Sequence, residues 1–243
     1  MAKFFVDAIP DVGENAILVG ENLTHGKVLR LKTGEKVTIC DGCGHEALCS
    51  VEEIVKDAIS MKVEEVRASR AEAAVKVSVY MAFSKADKLE HVIQKATELG
   101  ATEIVAFPSA RCVSRPDEKG KEKKLERWQK IAVSAAEQSG RGAVPRVRVC
   151  LSFQQAIEEA ARADMPILFY ENEQALTLKM ALKSKPFHSV SILTGPEGGL
   201  EPGEVEQARN AGMQICTLGR RILRCETAPL CALSAIMYEA GEF

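Results

Sequence analysis

The chain has 243 residues, of which 46% are hydrophobic and 27% charged, and its formal net charge is −2. A mean hydropathy of −0.06 and a pI near 6.2 allow a buried core but exclude a uniformly basic nucleic-acid binder, whose usual footprint is a pI above ~9. No run of ~18 uncharged apolar residues occurs, so no membrane span is expected, and eight cysteines without an export signal point to reduced thiols in a cytoplasm.

Residues 1–70 read as β-rich. KFFVDA, AILVG, EKVTIC, ALCSVEEIV and AISMKVEEV are short apolar or alternating runs, separated by Pro10, Gly13, Gly20, Gly34, Gly42 and Gly44. That spacing suggests a small barrel or sandwich, with one helical turn around Leu23–Leu29. Within it, CDGCGHEALC carries Cys40, Cys43, His45 and Cys49. By residue type these are four zinc ligands. Asp41-Gly42 and Gly44 are also hairpin residues, and a hairpin would carry Cys49 well down its second strand. With no second ligand pair further along, free thiols in a β-hairpin are expected, and no metal.

From about residue 74 the texture changes to strand followed by helix. VKVSVYMAF leads to DKLEHVIQKATELG, and EIVAFP leads through a polar loop to EKKLERWQKIAVSAAEQSG. RVRVC leads to FQQAIEEAARA, PILFYE to QALTLKMALK, SVSILTG to GEVEQARNAG, and QICTLG to APLCALSAIMYEAG. Repeated strand-then-helix argues an α/β fold, a parallel sheet covered on both faces. Gly100, Gly140 and Gly212 stand where left-handed helix caps are expected. The domain boundary falls near residue 72, in RASRAEAA, giving domains 1–72 and 73–243. The charge run over residues 117–130 reads equally as a solvated helix face or a basic RNA-facing edge. Trp128, on the amphipathic run Leu125-Trp128-Ile131-Ala132, is expected in the core or an interface.

Open parallel sheets bind ligands beyond the carboxyl ends of their strands, and the last two strands deliver unusual turns there. The first is TGPEGGLEP, residues 194–202, directly after Leu193. Gly195, Gly198 and Gly199 allow close backbone approach, which suits a phosphate, yet Glu197, Glu201 and Glu204 are poor company for one. The second runs from Leu218 and Gly219 through Arg220, Arg221, Ile222, Leu223, Arg224, Cys225 and Glu226 to Thr227, Ala228 and Pro229. Ile222 and Leu223 form a candidate shelf for a flat ring, and Thr227 is a candidate N-cap. A flat, partly apolar ligand without phosphate fits both turns. S-adenosylmethionine, with its adenine and positive sulfonium, meets that description.

GPEGG followed by LG-x-R-I-L-R-x-E-T-A resembles the ribosomal RNA small-subunit methyltransferase E family, of the SPOUT superfamily. HGKVLR (residues 25–30), KLEHVIQKATELG (88–100) and AAEQSGR (135–141) with Val144-Pro145 extend the resemblance over most of the chain. It implies a PUA-like RNA-binding β-barrel over 1–72 and a SPOUT S-adenosylmethionine-dependent methyltransferase domain with a deep trefoil knot over 73–243. It also implies a homodimer that methylates N3 of a specific uridine in 16S rRNA, acting on the rRNA or the small ribosomal subunit, with no DNA or membrane partner. Departures from the family pattern are Lys3 for Arg, Ala110-Arg111-Cys112 for E-R-S, and Cys225 for Thr.

In that frame the donor would be held by Leu193, Thr194, Gly195, Glu197, Gly198, Gly199, Leu218, Gly219, Ile222, Leu223, Thr227 and Ala228. Uridine N3 must lose a proton, so Glu226 is a candidate base or a carboxylate that favours a helix dipole. Arg224 is a candidate stabiliser of the uridine anion. Lys3, His25, Lys27, Arg30, Arg111, Arg115 and Arg141 are the basic groups for RNA. Rival readings are a SPOUT enzyme with another rRNA or tRNA target, a non-catalytic RNA-binding protein, and a nucleotide-dependent α/β enzyme.

Overall fold

The computed structural model describes residues 1–85, 87–113 and 118–243; the RNA candidate Arg115 lies outside the described residues. The chain divides into two compact units, one of residues 1–72 with 133–144, the other of 73–132 with 145–243. No helix of the described residues is long and apolar enough to cross a membrane.

The first unit holds β1 (Lys3–Phe5), β2 (Asn15–Leu18), α1 (Gly20–Val28), β3 (Lys36–Cys40), β4 (His45–Ile54) and β5 (Ile59–Ala68). They form one five-stranded sheet in the order β1-β3-β4-β5-β2, with β1 parallel to β3 and the other pairs antiparallel. Period-two patterning sets its inner face: Ile59, Met61 and Val63 of β5 are buried while Lys62 and Glu64 are exposed. Phe4, Leu18, Val37, Ile39 and Val51 complete this core. Register shifts in the β4–β5 pair add twist that helps the sheet curl around it. A Cβ on Gly26 would lie 2.7 Å from Ile59 Cδ1, so glycine lets α1 rest directly on β5.

The Cys-rich stretch is the expected hairpin. Cys40 pairs with Glu46 and Val37 with Cys49. Asp41 closes the turn by accepting from the Cys43 and His45 N–H groups and from His45 Nδ1. Cys40 and Cys49 are buried, and burial pushes both thiols up to about 11. The turn docks on residues 142–144: Gly44 N donates to Gly142 O, and Val144 N to Gly42 O.

The second unit holds β6 (Lys76–Ala82), α2 (Lys88–Glu98), β7 (Glu103–Phe107), β8 (Arg146–Val149), α4 (Phe153–Ala160), β9 (Met165–Phe169), α5 (Leu178–Leu182), β10 (Ser189–Thr194), α6 (Pro202–Asn210), β11 (Gln214–Cys216) and α7 (Thr227–Glu239). The helix α3 (Glu118–Ser139) begins here and ends in the first unit. All six strands run parallel in the order β11-β9-β10-β6-β7-β8. Helix faces follow the apolar spacing: α2 buries Leu89, Val92, Ile93 and Ala96, and α4 buries Phe153, Ala156, Ile157 and Ala160. Trp128 is 5% exposed, in the interior as its spacing required. Gly100, Gly140 and Gly212 all take positive φ.

Two helix starts differ from the sequence expectation. The run QALTLKMALK yields only the short α5, because Glu173 Oε1 accepts the N–H groups of Gln174, Ala175 and Leu176 and holds them in a loop. Thr177 then caps the helix by accepting from Met180 N. At α7 the cap position belongs to Glu226, and Thr227 is the first helical residue. The carbonyl of Arg224 accepts from Thr227 N and Ala228 N, which draws the helix start one residue earlier.

Candidate functional site

The turns that follow β10 and β11 meet in one cleft of about 450 Å³ at the carboxyl ends of the parallel strands. That volume lies in the range of small-molecule sites, roughly 300–1,000 Å³. Residues 194–200 form one wall, residues 217–225 with Ala228 the other, and Phe169, Tyr170, Glu171 and Lys88 close the remainder.

The glycines earn their places sterically. Gly199 has φ +70°, and a Cβ on it would fall 2.4 Å from Glu171 Oε1. A Cβ on Gly195 would fall 2.9 Å from Leu200 Cγ, and one on Gly198 would fall 3.2 Å from Arg111 Cβ. The turn is thus packed against the segment after β9, against its own Leu200 and against the segment after β7.

The carboxylates that made a phosphate improbable are engaged by the protein. Glu197 Oε1 accepts from Lys85 N at 2.9 Å and lies 3.0 Å from Lys88 Nζ. Glu204, 8% exposed, accepts from Ala110 N and Glu201 N. Glu201 lies 3.9 Å from Arg111 Nε. Glu197 thus braces the turn's own architecture while also lining the cleft.

Glu226, the candidate base, does not line the cleft; its Oε2 lies 3.5 Å from the same Lys88 ammonium and accepts from Cys225 Sγ at 3.2 Å. Burial pushes the Glu226 carboxyl up, but its own backbone N–H, the Cys225 thiol and Lys88 together hold it below the usual glutamate range. Burial likewise opposes ionisation of Glu197, and the Lys85 N–H, its own N–H and Lys88 outweigh it. Burial, reinforced by the bond to Glu226, raises the Cys225 thiol to about 12. It remains a protonated donor where the resembling family has Thr.

Of the sequence-selected cleft residues, Thr194, Gly195, Glu197, Gly198, Gly199, Leu218, Gly219, Ile222, Leu223, Arg224 and Ala228 all line the cavity. Leu193 is fully buried in the core below it, and Thr227 is exposed on the first turn of α7, outside the lining. Ile222 is 86% exposed, at the rim. Arg220, Arg221 and Arg224 are exposed along the same rim. Sequence reasoning missed Lys88, Tyr170 and Glu171. Lys88 is the first residue of α2, where a helix start conceals it. Glu171 follows the apolar strand PILFY and carried no motif.

The proposed RNA contacts separate into two groups. Lys3 is paired inside the first unit: Nζ donates to Glu46 Oε2 at 3.0 Å and to Gly140 O at 2.6 Å, with 11% of the side chain exposed. Arg141 is 3% exposed, and its Nε and Nη2 both donate to Glu72. These two cations are internal braces, a correction to their reading as RNA contacts. Arg111 donates from Nη1 to Gly198 O at 3.0 Å, so it braces the glycine turn from an exposed position. His25 stacks edge-on against Phe4 and lies 3.8 Å from Glu137. Lys27 donates to Lys56 O. Arg30, exposed, takes a left-handed φ of 55° beyond the end of α1. Among the described residues no group of three or more His, Cys, Asp or Glu side chains has metal-binding geometry.

Comparison with known proteins agrees over nearly the whole chain. Residues 71–237 match the model of an RNA methyltransferase domain, and residues 20–64 that of an RNA methyltransferase PUA domain. Ribosomal RNA small subunit methyltransferase E of Bacillus subtilis is 40% identical, over 98% of this chain and 97% of that protein. Its counterpart from Mycobacterium bovis is 33% identical, over 96% and 90%. The crystal structure of the same-named protein from Neisseria gonorrhoeae, bound to S-adenosyl methionine, superposes with a TM-score of 0.87 at 32% identity, covering 98% of this chain and 97% of that one.

Proposed function

The chain belongs to the ribosomal RNA small subunit methyltransferase E family, and from that premise we propose that it transfers a methyl group from S-adenosylmethionine to N3 of one uridine in 16S rRNA. The observation that carries this is the convergence of the 194–200 and 217–225 turns on a single cleft at the carboxyl ends of β10 and β11. The donor's adenosyl group occupies the slot between the turns, against their exposed main-chain groups. A cleft whose lining includes the Glu171 and Glu197 carboxylates beside Lys88 gives a cationic sulfonium partners of opposite charge.

The reaction is an in-line displacement. Uridine N3 gives up its proton, its lone pair forms the new N–CH₃ bond, and the carbon–sulfur bond breaks to leave S-adenosylhomocysteine. The donor is already activated, so the protein's contribution is orientation and stabilisation of the uridine anion. Arg224, exposed at the rim, is the proposed anion stabiliser. Glu226 is the proposed proton acceptor. A carboxylate held below its usual range is a weak base, so the larger share of the rate falls to Arg224.

Residues 1–72, the larger part of the first unit, are proposed as the RNA-binding PUA-like domain and residues 73–243 as the knotted SPOUT domain. The strand order, with β10 between β9 and β6 and β11 outermost, supports a knotted path. His25, Lys27 and Arg30 are proposed to meet the RNA backbone, with Arg111 serving near the donor turn. The exposed Ile222 and Tyr238 supply apolar surface for a second copy in a homodimer.

Incubation with tritiated donor and small subunits from a strain lacking the mark, followed by mass mapping of 16S rRNA, should place one methyl on one uridine. Incorporation at another site, into tRNA, or nowhere would overturn the proposal.

A further inference from the structure

We propose that Lys88 is a positioning residue for the methyl donor, clamping the two cleft-forming turns onto one ammonium group. Its Nζ lies 3.0 Å from Glu197 Oε1, in the turn after β10, and 3.5 Å from Glu226 Oε2, ahead of α7. Cys225 Sγ is 3.7 Å away. The same Glu197 oxygen accepts from Lys85 N. Segments leaving β6, β10 and β11 therefore converge on one ammonium and two carboxylates. The strand order is β11-β9-β10-β6, so the 217–226 segment has to cross the ends of β9 and β10 to bring Glu226 to Lys88. A long crossing loop of this kind needs an anchor at its far end if it is to form a wall of fixed shape.

Local helix physics gives no reason for a cation here. Lys88 opens α2, where the helix dipole favours a negative charge, and the side chain of the preceding Asp87 makes no capping bond. The two carboxylates offset that placement. They in turn need the cation, since like charges brought to one spot oppose each other's ionisation. Lys88 itself lines the cleft and is only partly exposed, so the ion pairs are weakened by solvent less than surface pairs are.

This role rests on the cleft being the donor site, and one set of titrations tests both. Donor affinity would be measured by calorimetry for wild type, Lys88→Met, Glu197→Gln and the double variant, with S-adenosylmethionine and with the uncharged thioether S-adenosylhomocysteine. Lys88→Met is expected to weaken both ligands alike, by about tenfold, because the clamp acts through the shape of the wall. In the Lys88→Met background, Glu197→Gln should add little, since the partner is already gone. In steady-state methylation the donor KM should rise by a similar factor.

Unchanged affinity in Lys88→Met, additive losses in the double variant, or a fall confined to kcat would each overturn the clamp while leaving the donor site in place. Failure of the wild type to bind either ligand would remove the donor site itself, and the clamp with it. Should Lys88→Met not fold, Lys88→Arg and Glu197→Gln carry the test. Arg keeps the charge but alters its geometry, and each variant is expected to lose about threefold in affinity; no loss in either overturns the clamp.

Discussion

Gly199→Ala isolates the backbone's share in shaping the cleft. Gly199 sits at φ +70°, a conformation that costs a residue with a Cβ about 1–2 kcal/mol. The added Cβ would also lie 2.4 Å from Glu171 Oε1 and 3.2 Å from its Cδ. That obstacle is the tip of a flexible side chain, so swinging it away costs little and the backbone strain dominates the loss of stability. Gly34 provides the control: it has φ +84° with nothing within 4 Å of where its Cβ would stand. Both alanine variants should melt about 2–8 °C lower, from 1–2 kcal/mol at roughly 2–4 °C per kcal/mol for a chain of this size. They part at donor binding. Gly199→Ala displaces a wall of the cleft and the Glu171 carboxylate together, so its Kd for S-adenosylmethionine should rise at least about tenfold, the equivalent of 1.4 kcal/mol. Gly34 is not a lining residue, and Gly34→Ala should bind as wild type does. Adding Glu171→Ala to Gly199→Ala removes the clash but not the strain and should recover only part of the affinity. Wild-type affinity in Gly199→Ala, together with the lowered melting point, would refute the assignment of the donor to this turn.

Further expectations concern charge. The Glu197 carboxyl is held below its ordinary value of 4.5 in the folded protein, so the stability it contributes is present above that value and is lost as pH falls through the lower folded one. The difference in melting temperature between wild type and Glu197→Gln should be constant from about pH 8 to pH 5 and shrink only in more acid solution. Arg224→Ala should leave donor affinity intact and slow methyl transfer about 10- to 100-fold, the value of a lost charged hydrogen bond, as read by tritium incorporation. Arg141→Ala leaves the partly exposed Glu72 carboxylate with only the Gly142 and Ala143 N–H groups and should cost about 1.5–3 kcal/mol in chemical denaturation. Arg30→Ala should not change stability measurably, but it should lower the salt dependence of RNA binding by about one counterion.

Strands and helices were legible because their periods were strong. Ile59, Met61 and Val63 alternate, and Leu89, Val92, Ile93 and Ala96 recur at helical spacing. Both cleft turns were visible as glycines where the sheet pattern stopped. The short α5 was not, because a single side chain, Glu173, overrides the helix propensity of three residues by taking their N–H groups. Lys3 and Arg141 misled for a related reason. A cation in a polar stretch reads as surface until its partner is known, and Glu46 and Glu72 lie 43 and 69 residues away in sequence. Residues 133–144 pack with the first unit, a return of the chain that no change in composition announces. Lys88 was hidden because its partners come from two distant turns.

The acidic composition and an RNA substrate are reconciled by where the charges sit rather than by their sum. Inside the cleft, Glu171 and Glu197 face the single ammonium of Lys88, with Glu226 on the same ammonium just outside the lining, so carboxylates outnumber lysine near the position proposed for the sulfonium. At the rim, Arg220, Arg221 and Arg224 present three cations toward solvent, where a polyanion would approach. A strongly negative cleft would hold the donor but repel RNA phosphates, and a strongly positive one would reverse both preferences. Grading the charge from base to rim lets the two substrates meet, each in a field of favourable sign. The same arrangement orders them in energy. The donor's site is shaped by close glycine backbone contacts and by ion pairs only partly exposed, which salt screens less than the exposed arginines that face the RNA. Raising ionic strength should therefore weaken methylation through the RNA KM and leave the donor Kd nearly constant. A donor Kd that rose in parallel with the loss of RNA binding would contradict that division.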